Sequence, residues 1–131
     1  MKLVVTEPGS EEARTSITNF LGKGYSLYSV DVALAESLNA LWKHVKVHRD
    51  LKMEDARSAV HDLTRIYDKL NIITTREVSE EAADIALTQN ITIYDSVYIA
   101  ASRKLKATLY TADRRLHDVS KNVAMSKLLE L

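Results

Sequence analysis

The chain has 131 residues, 46% of them hydrophobic, and its 18 Lys and Arg residues balance 18 Asp and Glu residues. This length fits a single domain over residues 1–131, and the neutral balance argues against nucleic-acid binding through bulk positive charge. Without cysteine, disulfides and thiol catalysis are excluded, and without a long apolar run or a signal-peptide core we expect an intracellular, cytoplasmic protein with no membrane span.

The first third of the chain predicts two helices separated by a strand. A Pro-Gly turn at residues 8–9 precedes a helix that Ser10 caps and that ends near residues 22–24. "YSLYSV", residues 25–30, has the composition of a short strand. Asp31 then caps a helix that carries an apolar stripe at helical spacing. The stripe consists of Leu34, Leu38, Leu41, Trp42 and Val45.

The remaining elements alternate between helix and strand. This alternation predicts an α/β fold, with a parallel sheet covered on both faces and functional groups at the carboxyl ends of its strands. The predicted order is a helix over Met53–Leu70, a strand over 71–75, a helix from Ser79 to about Asn90, a buried helix opened by Asp95, a strand over 107–111, a short helix in "DRRLHDVSK", and a last strand in "NVAM", residues 122–125.

Three acidic residues lie where the chain enters or leaves buried segments. Asp95 stands at the mouth of an apolar segment, Asp113 follows the run "ATLYT", and Glu36 faces away from the leucine stripe. Singly, the two aspartates are explained as helix caps and Glu36 as a solvated side chain. Together they favour a metal site. Ala33 and Ala40 leave room beside Glu36, and an aspartate beside a fully buried helix is costly unless it is paired or metal-bound.

The stretches "SVDVALAESLNALWK" and "ITIYDSVYIAASRKLKATLYTADRRL" resemble PIN-domain nucleases, in particular the VapC-type toxins of prokaryotic toxin–antitoxin pairs. The resemblance covers nearly the whole chain and implies a three-layer α/β/α fold with a small, mostly parallel sheet. The family's acidic positions are matched by Glu36 in "ESLNAL", Asp95 in "YDSVYIAAS" and Asp113 in "LYTADRRL". Thr111 is the neighbouring hydroxyl in the last motif.

One departure from the family concerns its first strand, which ends in "DxS" with an aspartate central to metal binding. Here "KLVVTEPGSEEA" resembles the segment that normally follows that strand, and the first aspartate of the sequence is Asp31. Either the chain begins downstream of the natural start, or this member lacks the strand and its ligand. In the second case we expect "KLVV" to be recruited as a strand or another copy to lend one.

The resemblance implies that Glu36, Asp95 and Asp113 hold one or two Mg²⁺ or Mn²⁺ ions and that the protein hydrolyses RNA phosphodiesters. It also implies a cognate antitoxin and a homodimer. Clustered cations that bracket the Asp113 strand are the predicted phosphate contacts. These cations are Arg103, Lys104, Arg114 and Arg115, and a second basic patch spans residues 43–52.

Several alternatives stay open at the level of sequence. A catalytically impaired PIN fold that only binds RNA or a protein is favoured by the missing aspartate. A receiver-like domain needs an acidic pair after its first strand, which this sequence does not have. His44 and His48 have the spacing of two metal ligands on a helix, but a polar helix end explains them better. Tyr94 and Tyr110 either stack on RNA bases or pack inside the domain.

Overall fold

The structure, a computed structural model, describes residues 1–6 and 11–128. It contains a five-stranded sheet in which every described pairing is parallel, in the order β3-β2-β1-β4-β5. The strands are β1 Lys2–Val5, β2 Ser26–Val30, β3 Asn71–Ile73, β4 Thr108–Thr111 and β5 Ser126–Leu128. The helices are α1 Glu11–Gly22, α2 Val32–Lys46, α3 Met53–Asp68, α4 Ser79–Gln89, α5 Ile93–Leu105 and α6 Arg114–Ser120, with a 3₁₀ turn over Thr75–Val78.

The central strand of this sheet is β1, formed by "KLVV". Leu3 pairs with Leu27 of β2 on one side and with Thr108 of β4 on the other. Val4 is fully buried, as expected of a strand with helices above and below it. The expectation that this segment is recruited as a strand is therefore confirmed. The predicted turn at 8–9 and the Ser10 cap lie outside the described residues.

Successive side chains of a strand point to opposite faces of the sheet, so alternate residues pack into two separate hydrophobic cores. Val4 belongs to a core shared with α4, α5 and α6, whereas Leu3 and Val5 belong to one shared with α1 and α3. Ile17 of α1 is a buried member of the second core. The predicted three-layer α/β/α architecture is thus confirmed.

Helix α5 is the most deeply buried helix among the described residues. Every residue from Ser96 to Ser102 is buried, because the helix lies against the sheet and also against α4. Its side chains are small or apolar, so both neighbours can approach closely. The prediction that this segment is buried on both sides is confirmed.

Helix α2 presents a different face to the core from the one suggested by its apolar stripe. Ala33 is its buried residue, while Trp42 of the stripe remains 54% exposed. The stripe packs instead towards α3, beyond the edge of the sheet. Glu36 lies one turn after Ala33, so it shares the side of α2 that approaches α5.

Three local predictions are corrected by the structure. Asp31 precedes α2, but its carboxylate accepts hydrogen bonds from the hydroxyl and N–H of Thr75, at 2.6 and 2.9 Å. Thr92 rather than Asp95 caps α5, because its hydroxyl accepts the Asp95 N–H. The last strand lies at 126–128 rather than 122–125, since a helical turn continues past Ser120 and delays the strand.

No helix in the described part of the chain is both long and apolar enough to cross a bilayer.

Candidate active site

The three predicted acidic residues come from three elements that meet near one edge of the sheet. Asp113 lies two residues after the end of β4 and caps α6, Asp95 lies in the first turn of α5, and Glu36 lies in the α2 helix that follows β2. In a parallel sheet, β2 and β4 end at the same edge, so the segments after them are neighbours. The fold therefore places these residues around the carboxyl end of the central strand.

Asp95 is partly buried and occupies the middle of this group. Burial raises the pKa of its carboxyl group, and the negative charge of Asp113 raises it further. The Arg115 guanidinium and the Thr92 hydroxyl lower the pKa of the same carboxyl without reversing the shift. The ionised form of Asp95 is therefore less stable in the folded protein than it is in water.

Glu36 is connected to Asp95 and to the buried helix α5. The Tyr98 hydroxyl donates a hydrogen bond of 2.9 Å to Glu36 Oε1. Glu36 is exposed as a residue, but partial desolvation raises the pKa of its carboxyl group, the Tyr98 bond lowers it, and the charge of Asp95 raises it again. Because the net shift is upward, Glu36 and Asp95 each lie in an environment with too few compensating positive charges.

Asp113 is held by its own backbone and by one neighbouring strand residue. Its Oδ1 accepts the Leu116 N–H at 3.1 Å, so Asp113 caps α6, as the sequence predicts for this aspartate taken singly. Its own N–H donates to the buried hydroxyl of Thr111 at 3.0 Å. The cap fixes one carboxylate oxygen while the residue stays exposed at the sheet edge.

The chemistry of this group fits a hard divalent cation. Carboxylate oxygens are the ligands that Mg²⁺ and Mn²⁺ prefer, and Mg²⁺ commonly retains several waters while only one or two carboxylates bind it. Within the described residues, no three acidic, histidine or cysteine side chains lie close enough together to hold one ion. The arrangement therefore suits a hydrated ion bound by neighbouring carboxylates and does not form a closed protein cage.

The predicted RNA-contacting cations divide into two groups. Arg114 and Arg115 are exposed at the start of α6, and the charge of Arg115 acts on Asp95. Arg103 and Lys104 lie in the last turn of α5, and Arg103 pairs with Glu81 of α4 at 3.1 Å. Eight residues of helix, or about 12 Å, separate Arg103 from Asp95. Only the first group lies beside the acidic residues.

The aromatic and histidine candidates have distinct positions. Tyr94 is 61% exposed beside Asp95, whereas Tyr110 packs edge-on against Phe20 with ring centroids 5.1 Å apart. His44 bonds Asp50 at 2.8 Å near the end of α2, which supports the polar helix-end reading.

Two contributors to the site were not found from sequence. Tyr98 follows Asp95 by three residues, so helical spacing could have placed it on the same face. Thr6 follows the central strand, and its hydroxyl donates to Thr111 at 2.8 Å. A cleft of about 530 Å³ also opens beside Glu36 and Tyr98, with Arg14 in its wall and apolar side chains from α2 and α3.

Comparison with known proteins identifies relatives of the chain and structures that share its fold. The PIN domain profile matches residues 2–122. Ribonuclease VapC3 of Pyrobaculum aerophilum is 33% identical over 115 residues, covering 87% of this chain and 83% of the relative. Two solved structures share the fold. A Pyrobaculum aerophilum protein has a TM-score of 0.76 at 19% identity, covering 96% of this chain and 89% of its own. A domain of a functionally unknown Methanocaldococcus jannaschii protein has a TM-score of 0.58 at 16% identity, covering 99% and 91%.

Proposed function

The chain belongs to the PIN-domain family, and from this premise we propose that it is a metal-dependent endoribonuclease, the toxin of a VapBC-type toxin–antitoxin system. Its substrate is RNA, its cofactor is Mg²⁺ or Mn²⁺, and it acts in the cytoplasm. The proposal is supported by the ribonuclease relative and by the carboxylates gathered at the sheet edge.

The observation that carries the proposal is the electrostatic coupling of Glu36, Asp95 and Asp113. Burial is the main cost of ionising Asp95, the charge of Asp113 adds to that cost, and the charge of Asp95 in turn raises the pKa of Glu36. Repulsion of this kind lowers stability unless a cation or substrate group offsets it. Sites with such perturbed carboxylates are often functional, because a folded chain seldom tolerates them without a role.

The residues of the chain have separable tasks in this mechanism. Glu36, Asp95 and Asp113 are the proposed ligands. Because no three described side chains converge closely enough to share one ion, a hydrated ion would be held by one or two of these carboxylates, and it would supply an activated water and neutralise charge on the phosphoryl group. Tyr98 orients Glu36 through its hydroxyl and keeps that carboxylate turned towards α5. Thr111 holds the Asp113 backbone, so this carboxylate is positioned before substrate binds.

RNA contacts are assigned to groups on the same side of the molecule. Arg114 and Arg115 are the first two residues of α6 and directly follow Asp113. From this position they can bind the phosphate groups of RNA next to the phosphate that is hydrolysed. Tyr94 is exposed beside Asp95 and offers a ring on which a base can stack. Phosphate contacts of this type bring affinity without sequence preference. Arg103 and Lys104 remain candidates for more distant phosphates.

A protein partner is proposed from the exposed apolar groove between α2 and α3. Trp42, Met53 and Val60 are 54%, 49% and 38% exposed, and they line a groove of about 280 Å³. Exposed apolar surface of this kind marks interaction sites. We assign it to the cognate antitoxin and propose that the toxin is also a homodimer. Light scattering of the chain alone and with the antitoxin measures both assemblies.

A second candidate function is an RNA- or protein-binding PIN fold without catalytic activity. It is favoured by Thr6, which occupies the carboxyl end of the central strand with a hydroxyl rather than a carboxylate. It is also favoured by the absence, within the described part of the chain, of three ligands close enough for one ion.

Cleavage of RNA in the presence of Mn²⁺ separates the two candidates. We expect the wild-type chain to cleave and Asp95→Asn to lose at least about 100-fold of the rate, the order seen when one electrostatic contributor to a transition state is removed. Asp62→Asn is the matched control, because Asp62 is exposed on α3 away from the group. Equal background from the wild type and Asp95→Asn, with RNA still bound, would favour the binding role.

A further inference from the structure

Two buried hydroxyl groups connect the central strand to Asp113. Thr6 and Thr111 are 5% and 1% exposed, and they lie at the carboxyl ends of the neighbouring strands β1 and β4. The Thr6 hydroxyl donates to Thr111 Oγ1 at 2.8 Å, across 105 residues of sequence. The Thr6 N–H also donates to the Tyr110 carbonyl, which extends the pairing of the two strands by one step. Thr6 is thus held by backbone and side chain together.

Thr111 is the junction of this chain of hydrogen bonds. Its Oγ1 accepts the Thr6 hydroxyl at 2.8 Å and the Asp113 N–H at 3.0 Å. A hydroxyl oxygen has two acceptor lone pairs, so these donors occupy both of them. The Thr111 hydroxyl is therefore locked as an acceptor towards Asp113, and its rotation would leave a buried donor without a partner.

From this connection we infer that Thr6 is a positioning residue that orients the Asp113 carboxylate through Thr111. The inference rests on the proposed nuclease function, because it assigns Thr6 a role at that same site. Thr6 is buried, and the role assigned to it needs no direct contact with metal or substrate. Its effect passes through the Asp113 backbone, which Thr111 holds on one side while the Leu116 N–H holds the carboxylate on the other.

The main variant is Thr6→Val, which keeps the shape of the side chain and removes the donor. Thr6→Ser restores a hydroxyl and serves as the rescue, and Thr6→Ala is a second deletion without the added methyl. Ser29→Ala is the matched structural control. The Ser29 hydroxyl is also fully buried and donates at 2.8 Å to the Val5 carbonyl, on the opposite side of the same strand.

The measurements are Mn²⁺ affinity by calorimetry, the amide signal of Asp113 by NMR without metal, and kcat and KM for RNA cleavage. Thr6→Val should shift the Asp113 amide and weaken Mn²⁺ binding by about tenfold, because removing a group that orients a metal ligand typically costs about 10–100-fold in metal affinity. Cleavage should fall mainly in kcat. Thr6→Ser should lie within about threefold of the wild type, and Ser29→Ala should lose stability while retaining Mn²⁺ affinity.

The outcomes distinguish the inference from the function on which it rests. If Thr6→Val or Thr6→Ala binds Mn²⁺ as the wild type does, with the Asp113 amide unmoved, the positioning role is overturned and the nuclease proposal stands. If Ser29→Ala weakens Mn²⁺ binding as much as Thr6→Val, the effect is general destabilisation and the inference fails. If the wild type neither binds Mn²⁺ nor cleaves RNA, both proposals fall together.

Discussion

Replacing Asp95 by Asn should make the metal-free protein more stable while abolishing its activity. The substitution keeps the size of the side chain and removes a negative charge that Asp113 repels and that Asp95 in turn exerts on Glu36. Burial is the largest part of the cost of that charge. Stability and function are therefore expected to move in opposite directions, as they do where a site is built from unfavourable interactions.

The magnitude follows from opposing contributions. Each of the two like-charge pairs costs about 0.2–1 kcal/mol, the order measured for charge pairs near a surface. The attraction to Arg115 offsets one of these, and a negative charge in the first turn of α5 recovers about 0.3–1 kcal/mol. The raised pKa of Asp95 shows that the unfavourable contributions prevail. The charge contributions alone nearly cancel, so burial, the largest cause of the raised pKa, decides the sign, and we expect a net gain of at most about 1 kcal/mol, or up to about 5 °C in Tm for a domain of this size.

The assay is thermal and urea unfolding at several pH values, with Asp62→Asn as the control for loss of an exposed charge. Because the folded pKa of Asp95 is raised, its ionisation costs stability once the pH exceeds the unfolded value, and the cost is complete above the folded value. The advantage of Asp95→Asn should therefore be present at neutral pH and vanish near pH 3, where both states are protonated. Saturating Mn²⁺ should reverse the order, since only the wild type gains binding energy, about 2.7 kcal/mol at 100 times Kd. A variant less stable than the wild type at neutral pH without metal would refute this reasoning.

Three further variants probe the remaining contacts. Tyr98→Phe removes the donor to Glu36, so the pKa of Glu36 should rise further in a carboxyl NMR titration and the acidic limb of the pH–rate profile should move to higher pH; an unmoved titration contradicts the bond. Asp31→Ala removes two acceptors for Thr75 and should cost about 1–3 kcal/mol in urea unfolding. Burial raises the pKa of Asp31, but the hydrogen bonds from Thr75 lower it more, so the folded pKa lies below the ordinary value. The stability that these bonds contribute is therefore complete above about pH 4 and should be lost as the pH falls through the folded pKa. Leu109→Ala opens a cavity at a fully buried position of β4 and should cost about 2–5 kcal/mol, and a loss below 1 kcal/mol would contradict the packing.

Features that depend on short-range patterns were predictable from the sequence. The run 107–111 became β4 with a difference of one residue, and the helix predicted from Met53 begins there. The burial of α5 followed from side chains that are small or apolar nearly all round. The α/β architecture and the sheet edge on which Asp95 and Asp113 lie followed from the order of these elements.

Features that depend on distant contacts were not predictable. The apolar stripe predicts that one face of α2 is buried against a neighbour. It does not predict that this face packs against α3 while Ala33 packs into the core beside the sheet. The bond from Tyr98 to Glu36 spans 62 residues, and the bond from Thr6 to Thr111 spans 105. Periodicity carries no information on such pairs. The assignment of Asp95 as a cap failed because the helix begins two residues earlier, at Ile93, so that Thr92 is the capping residue and accepts the Asp95 N–H.

The position of β1 in the middle of the sheet has a consequence for how the molecule assembles during synthesis. Its partner on one side, β2, leaves the ribosome soon after it, whereas its partner on the other side, β4, begins more than a hundred residues later. Until β4 arrives, a strand destined for the interior carries an open row of amide and carbonyl groups that can recruit another chain. A topology so rich in non-local pairings folds slowly. The nascent protein should therefore be most prone to aggregation just before β4 emerges.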